Sequence, residues 1–87
     1  MIAAELHTHS LCAQDRRLIE LLLRYNIDYT VQRHDNQAAR TQIFDHLGLV
    51  GRQRTLPKVA LLVDEQRFVM DRSALLCWLL ANVVTSP

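Results

Sequence analysis

The stretch Lys58–Val63, KVALLV, constrains this chain more than any other segment. It is apolar at nearly every position, and Pro57 stands directly before it. A strand with one wet face alternates apolar and polar residues, so a continuous run of this kind reads as a strand buried on both faces. Its sheet then needs covering layers on both sides. Eighty-seven residues supply one such unit, and we expect a single domain over residues 1–87.

The remaining segments furnish those layers. Residues 2–8, IAAELHT, suit a short strand. From Cys12 onward the period changes: Leu18, Leu21, Leu22 and Tyr25 recur at i, i+3, i+4 and i+7, one apolar stripe of a helix. Ser10 is the expected N-cap, Asp15 lies in the first turn, and Asn26 is the expected left-handed stop. Residues 27–33, IDYTVQR, are rich in β-branched and aromatic side chains and read as a second strand. Asn36 offers an N-cap for a helix over 38–47 that Gly48 closes. A basic loop, 49–56, leads to Pro57 and the buried strand. Asp64-Glu65-Gln66 turns the chain into an edge strand over 67–70, and Asp71 caps a last helix dense in apolar residues. The order β-α-β-α-β-β-α predicts a parallel pair joined by a right-handed crossover and a closing hairpin, hence an α/β fold with a four-stranded mixed sheet flanked by three helices.

Composition narrows function. Ten Lys+Arg against nine Asp+Glu give a formal charge of +1, so no bulk basic excess points to nucleic acid. No apolar run reaches the roughly 18 residues of a membrane span, and the N-terminal MIAAELHTHS lacks a basic region followed by an apolar one. The expectation is a cytoplasmic protein without a nucleic-acid or membrane partner. Trp78 and Leu80 on different faces of the last helix leave room for a homodimer.

Two cysteines, Cys12 and Cys77, are too few and too distant for a disulfide framework, and no C-x-x-C pair occurs. Cys77 lies within LLCWL and reads as a packed core thiol. The histidines His7, His9, His34 and His46 do not form the two compact clusters of a structural zinc site; no metal is expected, and they read as solvated or lightly packed. Cys12 falls at a helix start, where unpaired N–H groups and the dipole favour the thiolate, while the Asp15 carboxylate one turn along opposes it.

Several segments together resemble the glutaredoxin branch of the thioredoxin fold. Ser10-Leu11-Cys12-Ala13-Gln14-Asp15 follows the first strand as the family's active-site segment does. Thirteen positions after Cys12 comes Tyr25-Asn26-Ile27-Asp28-Tyr29, similar to the family's aromatic-Gly-Ile-Asp-Tyr. Thr55-Leu56-Pro57-Lys58-Val59 looks like its Thr-Val-Pro-x-Val, whose proline is cis and lies beside the cysteine. The likeness covers roughly residues 4–80 and implies a thioredoxin-like fold. There are departures. Asp15 replaces the second cysteine of the two-cysteine type, Cys-Ala-Gln-Asp replaces the Cys-Gly-Phe-Ser of the iron–sulfur type, His9 stands where lysine is common, and the Gly-Gly pair after the last strand falls near Val69-Met70.

The resemblance implies a glutathione-dependent thiol–disulfide oxidoreductase. Cys12 would be the nucleophile, working as a monothiol on glutathione–protein mixed disulfides, with glutathione as co-substrate. The backbone at Leu56 and Pro57 would hold an extended thiol peptide, His9, Arg40 and Arg54 (or Arg52) would meet the glycine carboxylate, and Asp71 would meet the γ-glutamyl end. The alternative is a thioredoxin-fold interaction module that has lost catalysis, and a cluster bridging two chains ranks third.

Overall fold

A computed structural model describes residues 2–10 and 12–83. The strands are β1 (Ile2–Thr8), β2 (Asp28–Arg33), β3 (Lys58–Val63) and β4 (Gln66–Met70); the helices are α1 (Ala13–Arg24), α2 (Gln37–His46) and α3 (Arg72–Asn82). A short 3-10 turn, Gly51–Gln53, interrupts the long loop before β3. The sheet order is β2-β1-β3-β4, with β1 parallel to β2 and the other neighbours antiparallel. This is the α/β arrangement that the sequence pattern predicts, a four-stranded mixed sheet with three helices in the element order β-α-β-α-β-β-α.

The central strands carry the core. Ala4 and Leu6 of β1, Val59 and Leu61 of β3 and Met70 of β4 meet Leu18, Leu21 and Leu22 of α1 and Leu75 and Leu79 of α3. The register pairs Leu6 with Val59, so one sheet face presents this apolar row to α1 and α3. On the opposite face α2 is tied across to the sheet, where Arg67 of β4 donates to Nε2 of His46 at 2.9 Å. Coverage on both sides explains why Leu6, His7 and Thr8 are consecutively buried and why KVALLV needs no polar alternation.

Helix ends follow local chemistry. Asn26 adopts φ 58° after α1, while the Ile27 N–H reaches the Leu22 carbonyl at 2.9 Å and the Asn26 N–H reaches Leu23 at 3.0 Å. Gly48 (φ 72°) does the same after α2, with Leu49 bonding Phe44 and Gly48 bonding Asp45. Both are Schellman closures, which satisfy carbonyls that the helix leaves open. The first closure takes up Ile27, so β2 begins at Asp28, one residue later than the pattern predicts. Asn36 and Asp71 cap α2 and α3 through their side chains, accepting from the Ala39 and Ala74 N–H groups.

Three expectations are corrected. The N-cap of α1 is Cys12 and not Ser10, because Asp15, the third residue of the helix, reaches back to the Cys12 N–H. Ser10 lies in the preceding bend, where its carbonyl accepts from the Thr8 hydroxyl at 3.2 Å. Cys77 is exposed: Leu75 and Leu79, four residues apart, set the inward stripe of α3, and position 77 points away from it. His7 is 2% exposed and neither solvated nor lightly packed. It stacks on His34, with ring centroids 5.2 Å apart, and its Nδ1 lies 3.0 Å from His34 Nε2.

Candidate functional site

The end of β1 and the start of α1 deliver Cys12 to the surface. Its backbone is extended (φ −139°, ψ −176°) and its carbonyl already accepts the first helical bond, from the Arg16 N–H at 3.1 Å. The thiol is exposed. Asp15, one turn along, is fully buried, and its Oδ2 accepts twice: from the Cys12 N–H and from the Cys12 thiol, each at 2.9 Å. Its Oδ1 is buried with no hydrogen-bond partner among the described residues. The sequence showed Asp15 only as a charge opposing a thiolate. That it would be the cap's own partner was readable from the three-residue spacing to Cys12.

A groove of about 470 Å³ opens between the first turns of α1 and α3 and the loop before β3. Gln14 and Arg17 line one side, Thr55–Lys58 the floor, and Asp71, Arg72 and Ser73 the other side. The Leu56–Pro57 bond in this floor is cis, as the resemblance implies. Lys58 Nζ donates to the Thr55 hydroxyl at 3.0 Å, bracing the segment around the proline. Arg17, Lys58 and Arg72 bring three cations to the groove against the single carboxylate of Asp71. One oxygen of that carboxylate is engaged by the Ala74 N–H at 2.9 Å. Two helix starts and a cationic excess make a setting suited to an anionic ligand. A second hollow of about 390 Å³ shares Thr55, Lys58 and Asp71 and continues past Val69 and Met70.

The site residues named from sequence are distributed unevenly. Leu56, Pro57 and Asp71 line the groove, and Cys12 caps the helix whose Gln14 and Arg17 line it. His9 is exposed in the bend before Cys12. Arg40 turns back on the start of its own helix, with Nη1 donating to the carbonyls of Asp35 at 3.2 Å and His34 at 3.5 Å. Arg54 is held away as well: Nε donates to the Leu49 carbonyl at 2.9 Å, Nη2 pairs with Asp45, and the guanidinium lies over the Phe44 ring. Sequence reasoning missed Arg17, Lys58 and Arg72 as groove residues. Lys58 stands at the variable position of Thr55-Leu56-Pro57-Lys58-Val59, and no motif marks Arg17 or Arg72, which the approach of α1 to the start of α3 brings to the same groove.

Fold and site together define a class: a small α/β domain that presents an exposed thiol at a helix start and a cis-proline in the floor of an adjoining cationic groove. No protein-family model, curated protein or solved structure matches the chain. No helix among the described residues is long and apolar enough to cross a membrane.

Exposure of both thiols carries a direct expectation. Native protein treated with iodoacetamide takes up two adducts by mass spectrometry, and Cys77→Ser takes up one. A single adduct on the wild type, appearing as two only in denaturant, would contradict the exposed position of Cys77.

Proposed function

We propose that the chain is a monothiol thiol–disulfide oxidoreductase of glutaredoxin type, which reduces glutathione–protein mixed disulfides through Cys12 in the cytoplasm. The observation that carries this reading is an exposed thiol at the start of α1, the helix that also walls a cationic groove floored by cis-Pro57. Glutathione brings two carboxylates, and Arg17, Lys58 and Arg72 supply the opposite charge in the groove. Leu56 lines the groove, and its backbone would take an extended peptide in the manner of one added strand rung. With Asp15 three residues after Cys12 there is no resolving thiol in the helix turn. Cys12 Sγ therefore attacks the glutathione sulfur, the S–S bond breaks, and the substrate leaves as a thiol. A second glutathione then attacks the Cys12 mixed disulfide, which leaves oxidised glutathione and restores the thiol.

Val69 and Met70 favour a second reading. Both residues line the hollow beside Asp71, where the resemblance implies a Gly-Gly pair, and a Cβ at each suits an interaction module that binds no glutathione. Turnover decides between the two. A glutathionylated peptide is incubated with excess glutathione, and its release is followed with wild type, Cys12→Ser and Cys77→Ser. Wild type and Cys77→Ser are expected to run within roughly twofold of each other, and Cys12→Ser at the protein-free rate. Wild type no faster than glutathione alone would sink the oxidoreductase reading in favour of the interaction module.

A further inference from the structure

We infer that the seam between α1 and α3 docks an acidic segment of a protein partner, and so presents to Cys12 those glutathionylated proteins whose modified cysteine is flanked by carboxylates. The inference rests on the oxidoreductase reading of Cys12 and names its substrate class. The seam is a hollow of about 140 Å³ lined by Arg17, Glu20, Leu21 and Arg24 of α1 and by Arg72 and Leu76 of α3. The α1 residues stand at i, i+3, i+4 and i+7 and the α3 residues at i and i+4, so each set shares one helix face. Leu21 is buried and Leu76 half-buried, while Arg17, Arg24 and Arg72 are exposed, so the hollow is apolar at depth and cationic at its rim.

Arg17 and Arg72 also line the groove over Pro57. Seam and groove therefore form one continuous cationic track, from Lys58 past Arg17 and Arg72 to Arg24, against the carboxylates of Asp71 and Glu20. The chain as a whole carries a formal charge of only +1, so this concentration is local. Elsewhere cations are already engaged: Arg33 pairs with Asp35, Arg54 with Asp45, and Arg40 with backbone carbonyls. No carboxylate pairs with Arg17, Arg24 or Arg72 among the described residues, which leaves their charge for a partner of opposite sign. Arg17 and Arg24 are two helical turns apart, about 10 Å, which an extended chain covers in about three residues. A peptide that enters the groove with its modified cysteine at Cys12 thus has the reach to lay acidic side chains along the seam. Glu20, between Arg17 and Arg24, would repel the unbroken charge of a phosphodiester backbone, whereas a peptide can place a neutral residue there.

Two glutathionylated peptides of one sequence test this, one with glutamates flanking the cysteine and one with glutamines in their place. Wild type is expected to favour the glutamate peptide about tenfold in kcat/KM at low salt, and the preference should vanish at about 1 M salt, where charges are screened beyond about 3 Å. Arg24→Gln leaves the groove's own cations in place. It should match wild type on the glutamine peptide and lose about two- to threefold on the glutamate peptide, with Arg24→Lys restoring the loss. Binding of serine-for-cysteine versions of both peptides, followed by fluorescence anisotropy, reads the seam without chemistry. Turnover at equal rates on the two peptides, or a preference that Arg24→Gln leaves intact, overturns the inference and keeps the oxidoreductase reading. No turnover on either peptide, with tighter binding of the glutamate peptide that Arg24→Gln weakens, sinks the oxidoreductase reading and keeps the seam. No turnover and no difference in binding sinks both. A single-stranded oligonucleotide that binds more tightly than the glutamate peptide would assign the seam to nucleic acid and overturn the inference as well.

Discussion

Leu61→Ala is expected to lower the unfolding free energy by about 2–5 kcal/mol, the cost of emptying a closed core site that collapses only in part. Leu61 has no exposed surface and lies mid-way along β3, paired with Ala4 of β1 on one side and Phe68 of β4 on the other. Its side chain belongs to the cluster that joins β1 and β3 to α1 and α3. Chains of this size have about 0.05–0.15 kcal/mol of stability per residue, so one such deletion removes a large share of the total. Chemical denaturation should show the midpoint shift with little change in slope. Leu23→Ala is the control: Leu23 is 61% exposed on α1, and its loss should stay within about 0.5 kcal/mol. Equal costs at the two positions would mean that the inward stripe of α1 is misassigned. The expected effect is also functional, because the β1–β3 pair sets Cys12 beyond one strand end and Pro57 before the other.

Local signals made most of this architecture legible. Asn26, Asn36, Gly48 and Asp71 each mark a helix end by their own backbone or side-chain chemistry, and each is found in that role. KVALLV announces a doubly covered strand in the same local way. What was not legible depends on phase or on distance. In α3 nearly every position is apolar, so the sequence holds no contrast from which to read the inward stripe, and Cys77 is misassigned for that reason. In β1 the rule of alternation predicts one wet face. The His34 ring, which follows β2, stacks on His7 there, and so His7 is buried. Within the candidate site the sequence pointed to Cys12 and Pro57. The pairing of Arg54 with Asp45, and the gathering of Arg17, Lys58 and Arg72, depend on how distant segments approach one another.

The buried histidine gives the second expected result, a loss of stability on mild acidification that His7→Leu removes. Burial pushes His7 below its ordinary value of 6.5; Glu5, 3.5 Å from Nε2, opposes the shift, and His34 and Arg67 reinforce burial. The unfolded chain thus binds a proton at His7 more readily than the folded one. The stabilising difference is fully present above 6.5 and is lost as pH falls from there through the lower folded value. The contact with His34 acts in the same direction. At 3.0 Å one ring nitrogen must accept while the other donates, and protonation of both rings leaves two donors facing each other. Ordinary carboxylates titrate near 4, so a slope that begins just below 6.5 belongs to histidine. Denaturation midpoints at a series of pH values would show the wild type falling while His7→Leu stays level over the upper part of the range. A His7→Leu curve as steep as the wild type would place the acid sensitivity elsewhere and leave the His7–His34 stack as packing alone.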